Sequence, residues 1–151
     1  MHPLLKQLAG TDRRSIGKAN QVVQQVLANP RLFGVVFDGM LNDDSVIRIR
    51  CADAVEKITT PHPEFLRPYK NKLVQRVAKI DQQEVRWHVA QLFSRLALTP
   101  KERRTVVAIL QEFLKDQSGI VRTFSMQALA DIAAQDAGLR PPIVKQIGQL
   151  T

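Results

Sequence analysis

The sequence predicts an all-α fold, a right-handed α-solenoid of about four stacked helical hairpins. Three observations support this prediction. A short segment recurs three times at intervals of 38 and 36 residues, measured between its arginines. Apolar residues between these segments follow the spacing of helices and not of strands. Prolines stand where the first helix of each hairpin is expected to begin, a position that tolerates a missing N–H.

The recurring segment has an apolar residue and then an arginine, with apolar residues four, seven and ten positions further on. The arginines are Arg48, Arg86 and Arg122. Such spacing places the apolar residues on one face of a helix. These core positions are Ala52, Val55, Ile58, Ala90, Phe93, Leu96, Met126, Leu129 and Ile132.

One hairpin of this kind cannot bury its apolar faces alone, so neighbouring hairpins must stack into one domain spanning residues 1–151. The expected units are a degenerate leading unit 1–29, repeats at about 30–60, 61–99 and 100–137, and a partial or capping unit 138–151. Besides the three helices that the arginines open, we expect helices at Pro3–Leu8, Arg14–Leu27, Arg31–Leu41, Phe65–Ile80, Lys101–Lys115 and Pro142–Leu150.

Composition limits the class of protein. Apolar residues make up 44% and charged residues 24% of the 151 residues, which is typical of a globular domain. The single cysteine, Cys51, cannot form an internal disulfide, and this favours a reducing cytoplasm. No run approaches the roughly eighteen apolar residues of a membrane-spanning helix.

The net charge of +8 favours acidic partners such as nucleic acid. Basic residues concentrate in the predicted first helices, where Lys72, Arg76 and Lys79 share one helical stripe. The alternative is a solvated face without a ligand. The candidate polyanion surface comprises Arg67, Lys70, Lys72, Arg76, Lys79, Lys101, Arg103 and Arg104.

A second candidate surface follows from stepping by helical spacing from the residue after each repeat arginine. The resulting rows face the concave side of a solenoid and contain Trp87, the only tryptophan. A partly exposed tryptophan can anchor a peptide or a base, or it can cover a neighbouring helix. The rows are Ile49, Asp53 and Lys57; Trp87, Gln91 and Arg95; Thr123, Gln127 and Asp131.

Catalytic and metal-binding patterns are not found in the sequence. Seven scattered glycines form no phosphate-binding loop, and three histidines with one cysteine have no metal-ligand spacing. The sequence therefore predicts no enzyme and no cofactor. It predicts a binding or scaffolding module for a protein or peptide, with nucleic-acid or other polyanion binding as the alternative.

The recurring segments resemble the HEAT-repeat family over roughly residues 30–135. The family has an aspartate at the turn within each hairpin and a Val-Arg pair opening the second helix. The resemblance implies that such pairs link one unit to the next by charge-assisted hydrogen bonds. The corresponding acidic residues are Asp43 or Asp44, Asp81 and, one place earlier, Asp116, and the corresponding basic residues are Arg48, Arg86 and Arg122.

Some bacterial DNA glycosylases that remove alkylated purines are also built from HEAT-like repeats. That resemblance implies a catalytic aspartate one helical turn after a tryptophan in the binding groove. Here Gln91 stands in that position relative to Trp87, and its amide cannot supply the carboxylate. A glycosylase relative is therefore only an outside alternative.

Overall fold

The computed structural model describes residues 1–10 and 14–136, apart from the side chains of 14–17, together with positions 141, 143, 145 and 148. These residues form an all-helical fold without a β-strand, which confirms the predicted class. The predicted helix Pro142–Leu150 falls largely outside the described residues. No described helix combines the length and the apolar character needed to cross a membrane.

Eight α-helices and three short 3₁₀ segments make up the described chain. The α-helices are α1 Pro3–Lys6, α2 Arg14–Ala28, α3 Phe33–Gly39, α4 Ser45–Thr59, α5 Lys70–Gln75, α6 Gln83–Phe93, α7 Pro100–Phe113 and α8 Gly119–Gln135. The 3₁₀ segments are Pro30–Leu32, Pro63–Tyr69 and Val77–Lys79.

Side-chain caps fix the starts of three long helices. Asp44 accepts hydrogen bonds from the N–H groups of the first turn of α4, and Ser118 does the same for α8. Thr99 and Glu102 form a reciprocal capping box at the start of α7, where Pro100 takes the first helical position. Each of the three turns that precede these helices therefore ends at a residue whose side chain caps the following helix.

The prediction of one continuous helix over Phe65–Ile80 was wrong. The segment Pro63–Tyr69 is 3₁₀ and contains Pro68, which has no N–H to donate to a continuous α-helix. The helix α5 ends at Gln75, and Arg76 has a non-helical φ of −124°. As a result Lys72, Arg76 and Lys79 do not share a regular helical stripe. The predicted helix Arg31–Leu41 likewise begins as a 3₁₀ segment before α3.

The contacts between elements divide the helices into two sets, which we call layers. In one layer α2 packs against α4, α4 against α6, and α6 against α8. In the other layer α3 and the segment Pro63–Tyr69 pack on α4, while α7 packs on α8 and α6. Of the predicted core positions all are buried except Met126, which is partly buried.

A close contact between two elements centres on Gly39 at the end of α3. A Cβ atom at this position would collide with Cys51 Sγ and press on Leu5. Burial raises the pKa of the Cys51 thiol to about 12, so the group is a protonated apolar packing atom at neutral pH. The approach of α3 to α4 therefore depends on a residue without a side chain.

We expect Gly39→Ala to lower the free energy of unfolding by about 1–3 kcal/mol, because overpacking outweighs the better helix propensity of alanine. Removing the sulfur in the Gly39→Ala, Cys51→Ala double variant should recover part of this loss. Chemical denaturation measures both changes. The control is Gly119→Ala, where a Cβ meets only Arg122 at 3.6 Å and no loss is expected. Equal losses at both glycines would contradict the packing explanation.

Candidate functional site

The repeat arginines lie at equivalent places in the first turn of α4, α6 and α8. Arg48 donates to the carbonyl oxygens of Asn42 and Asp43, at 2.8 and 3.1 Å. Its Nε donates to Gln82 Oε1 of the next unit at 2.8 Å. The Gln82 amide in turn donates to the Ser45 carbonyl at 3.2 Å. Arg48 therefore joins two consecutive turns, through a glutamine that the sequence pattern had not singled out.

Arg86 forms a short ion pair that joins two consecutive units. Its guanidinium lies 2.6 Å from Asp116 Oδ2 in the next turn and 3.2 Å from Asp81 Oδ1 in its own turn. The Asp116 side chain is only 13% exposed whereas that of Asp81 is 91% exposed, so the first pair is much less screened by water. The guanidinium also lies over the Phe113 ring, 5.4 Å from its centroid.

The turns before α4 and α8 are built alike. Arg122 donates to the carbonyl oxygens of Asp116 and Gln117, as Arg48 does to Asn42 and Asp43. In both turns a side-chain oxygen accepts an N–H two residues later, Asn42 from Asp44 and Asp116 from Ser118. Asp44 caps its own helix and forms no described contact with another unit.

The three predicted rows lie on neighbouring helices and define the α4–α6–α8 face. Ile49 and Trp87 are partly exposed, and Thr123 and Gln127 are exposed. The charged and polar members are mostly paired within the fold. Asp53 bonds to Lys57 at 2.8 Å, Gln127 to Asp131 at 3.0 Å, and Arg95 to Glu56 and Thr59.

His88 was not among the predicted site residues. It lies on α6, next to Trp87 in the sequence, and faces Asp53 of α4. Its ring is 12% exposed, with Nδ1 2.9 Å from Gln91 Oε1 and Nε2 3.9 Å from Asp53 Oδ1. Burial lowers the pKa of His88, while the Gln91 hydrogen bond and the Asp53 charge act in the opposite direction. The Gln91 amide and the Asp53 carboxylate thus lie beside the two ring nitrogens of His88. The sequence signal that could have indicated His88 is its position directly after Trp87.

The eight predicted basic residues separate into two groups. Lys70 pairs with Glu102, Lys72 with Asp38, and Arg103 with Asp136, at 2.8–3.1 Å. The other five are exposed, and no described carboxylate lies within salt-bridge distance of them. These five residues lie on the segments that flank α5 and on α7, and we call the surface they form the α5–α7 face: Arg67, Arg76, Lys79, Lys101 and Arg104.

Clefts show how α5 lies along α7. A cleft of about 260 Å³ is lined by Asn71 and Gln75 from one side and by Lys101 and Thr105 from the other. A second cleft of about 320 Å³ includes Arg67, Lys70 and Arg95 in its lining. The basic residues of the two predicted first helices are thus brought to adjoining elements.

The described residues contain no group of histidine, cysteine, aspartate or glutamate side chains arranged to hold a metal ion. Beside Trp87, Gln91 bonds to His88, and Asp53 of the neighbouring row on α4 is paired with Lys57. The arrangement supplies hydrogen-bonding groups and one aromatic ring.

Comparison of the chain with protein-family models, curated proteins and solved structures finds no match. Its function therefore has to be inferred from the surfaces themselves.

We expect Asp116→Asn to lower the free energy of unfolding by about 1–2 kcal/mol at neutral pH, because the ion pair with Arg86 is lost. Asparagine already performs the turn function at the equivalent Asn42, so the substitution removes the charge and keeps the turn. Urea denaturation at several pH values measures the effect.

The pH dependence gives an independent check. The Ser118 N–H, followed by Arg86, lowers the pKa of Asp116 below its ordinary 3.8. Its stabilisation is therefore present above pH 3.8 and is lost as the pH falls through the folded-state value. The difference between wild type and Asp116→Asn should shrink below that pH. A difference that stays constant would contradict the ion-pair explanation.

His88 should make the fold sensitive to mild acid. Because its folded-state pKa lies below the ordinary 6.5, the unfolded chain binds the proton first. The free energy of unfolding should be highest above pH 6.5 and should fall as the pH drops towards the pKa of His88 in the folded state. We expect the His88→Gln variant to show a flatter profile over that interval in thermal unfolding. The same slope in both proteins would rule out His88 as its source.

Proposed function

We propose that this chain is a non-enzymatic binding or scaffolding module in the cytoplasm that holds a protein or peptide partner on the α4–α6–α8 face. We further propose that the chain is a HEAT-like, right-handed solenoid of about four hairpins. The side-by-side packing of α2, α4, α6 and α8 supports the solenoid. The bonds from Arg48 to Gln82 and from Arg86 to Asp116, which recur from one unit to the next, support it as well.

The observation that carries the binding function is the position of Trp87. It lies on α6, the middle of three adjoining helices, and is only partly buried although it packs against the core. The residues at equivalent or adjoining positions on the flanking helices, Ile49 and Phe124, are partly exposed too. A tryptophan with apolar neighbours in the centre of a surface is a common energetic anchor of protein interfaces.

The charges around Trp87 favour a protein partner over a polyanion. Asp53 and Lys57 neutralise each other, as do Arg95 and Glu56. The remaining polar groups are amides and hydroxyls such as those of Gln91 and Thr123, together with the Asp131 carboxylate, which accepts a hydrogen bond from Gln127. A face with little net charge offers hydrogen bonds and apolar contact, which suit a peptide or a protein surface.

The test begins with affinity capture of partners from native cells after nuclease treatment, followed by purification of each candidate. Trp87 is the only tryptophan, so its emission reports directly on this face when a partner without tryptophan is titrated. We expect Trp87→Ala to weaken the affinity by roughly thirtyfold, as is typical of a central anchor. Calorimetry measures the affinity of the variant, which has no tryptophan signal.

Two threonines provide a matched pair of surface variants. Thr123 on α8 and Thr105 on α7 are both exposed, and each hydroxyl donates to the carbonyl four residues earlier. We expect Thr123→Glu to weaken partner binding at least about tenfold, since it buries a charge in the interface. Thr105→Glu should leave the affinity unchanged. The reverse result, with loss only at Thr105, would place the partner on the other layer.

A further inference from the structure

Basic residues without an ion-pair partner are concentrated on the layer that contains α7, and not on the layer that contains Trp87. The sequence from 65 to 80 contains no acidic residue. The acids that adjoin these elements are already engaged, Glu102 by Lys70, Asp38 by Lys72 and Glu112 by Lys115. The five residues of the α5–α7 face form no described ion pair and are all exposed. The charge of Arg67 is opposed in part by Glu64 of the same segment, which bonds to His62.

The arrangement of these charges indicates the shape of the ligand. Lys70 bonds to Glu102, Gln75 and Thr105 line one cleft, and Ala78 and Ile109 line another, so the two chain segments run in the same direction. Because the five cations are spread over two adjoining, parallel segments, they form an extended strip of positive charge and not a site for one small anion. A strip of this kind suits an extended polyanion, which can neutralise several cations at once.

The aromatic residues of this layer help to choose between types of nucleic acid. Phe65 lies against Phe33, Tyr69 against Phe33 and Phe37, and Phe113 is buried beneath Arg86. Among the described residues, α5, α7 and the 3₁₀ segments beside α5 therefore present no fully exposed ring. The two partly exposed rings are already in contact with other groups, Phe65 with His62 and Tyr69 with Lys72. Single strands are usually bound through exposed rings, whereas duplexes are bound through their phosphates.

From these observations we infer that the α5–α7 face binds the phosphate backbone of double-stranded nucleic acid without reading its sequence. The contacts are salt-dependent ion pairs with lysine and arginine side chains, which position a duplex and carry no base specificity. This surface shares no residue with the proposed protein-binding face, which it adjoins at the cleft lined by Arg67 and Arg95, and its binding does not require a protein partner.

The test measures binding of the full chain to a duplex DNA of about 20 base pairs by fluorescence anisotropy across a salt series that starts at roughly 50 mM. Five phosphate contacts predict a slope of log affinity against log salt of up to about −4.5. The Lys101→Glu, Arg104→Glu double variant should lose at least about tenfold in affinity and flatten the slope by about 2. The duplex should bind more tightly than a single strand of the same sequence.

A matched control separates a local surface from net charge. Lys6 and Lys18 are exposed on α1 and α2, so Lys6→Glu, Lys18→Glu changes the total charge by the same amount elsewhere. This control should bind the duplex within about threefold of wild type. Circular dichroism checks that both double variants remain folded.

Several outcomes would overturn the inference. These are no duplex binding at the lowest salt, equal losses in the two double variants, or tighter binding of the single strand. Preferential displacement of the duplex by polyglutamate would assign the face to acidic proteins instead. None of these results changes the affinity of a protein partner at Trp87, and Thr123→Glu should leave duplex binding intact. Failure of this inference and failure of the proposed function are therefore distinguishable.

Discussion

The alignment of the helices depends on arginines that reach from one turn to the next. A helical hairpin buries one side of its apolar surface against its neighbour, but apolar contact alone is non-directional and does not fix the register of two helices. The bonds from Arg48 to Gln82 and from Arg86 to Asp116 supply this direction. They tie the start of α4 to the turn before α6, and the start of α6 to the turn before α8. The positions of Ile49, Trp87 and Thr123 on adjoining helices follow from that register.

Sequence periodicity predicted the long helices because each has a buried stripe of its own. In α4, for example, Ala52, Val55 and Ile58 are spaced for one face, and all three are buried. The same reasoning failed at Phe65–Ile80. Its apolar residues also have helical spacing, but Pro68 removes a backbone donor, and 3₁₀ turns keep similar residues buried without a continuous α-helix. Burial pattern alone does not distinguish these two backbones.

The pairing of surface charges could not be predicted from local sequence. Lys70, Lys72 and Arg103 looked equivalent to their exposed neighbours, yet each meets an acid more than thirty residues away in the chain. The role of Gln82 was hidden for a related reason, since a neutral amide replaces the expected acid as the acceptor for Arg48. His88 was missed because its burial depends on how closely α4 approaches α6. All of these features arise from tertiary contacts between units.

The two layers differ in the range over which they act on a partner. Around Trp87 the charges cancel in close pairs, so attraction to a ligand depends on apolar contact and hydrogen bonds of a few ångströms. On the α5–α7 face the charges add, and their field extends about 10 Å at ordinary salt before it is screened. Salt should therefore weaken only the second kind of contact. Under the two proposals a protein on one layer and a polyanion on the other would not compete, because the two surfaces share no residue.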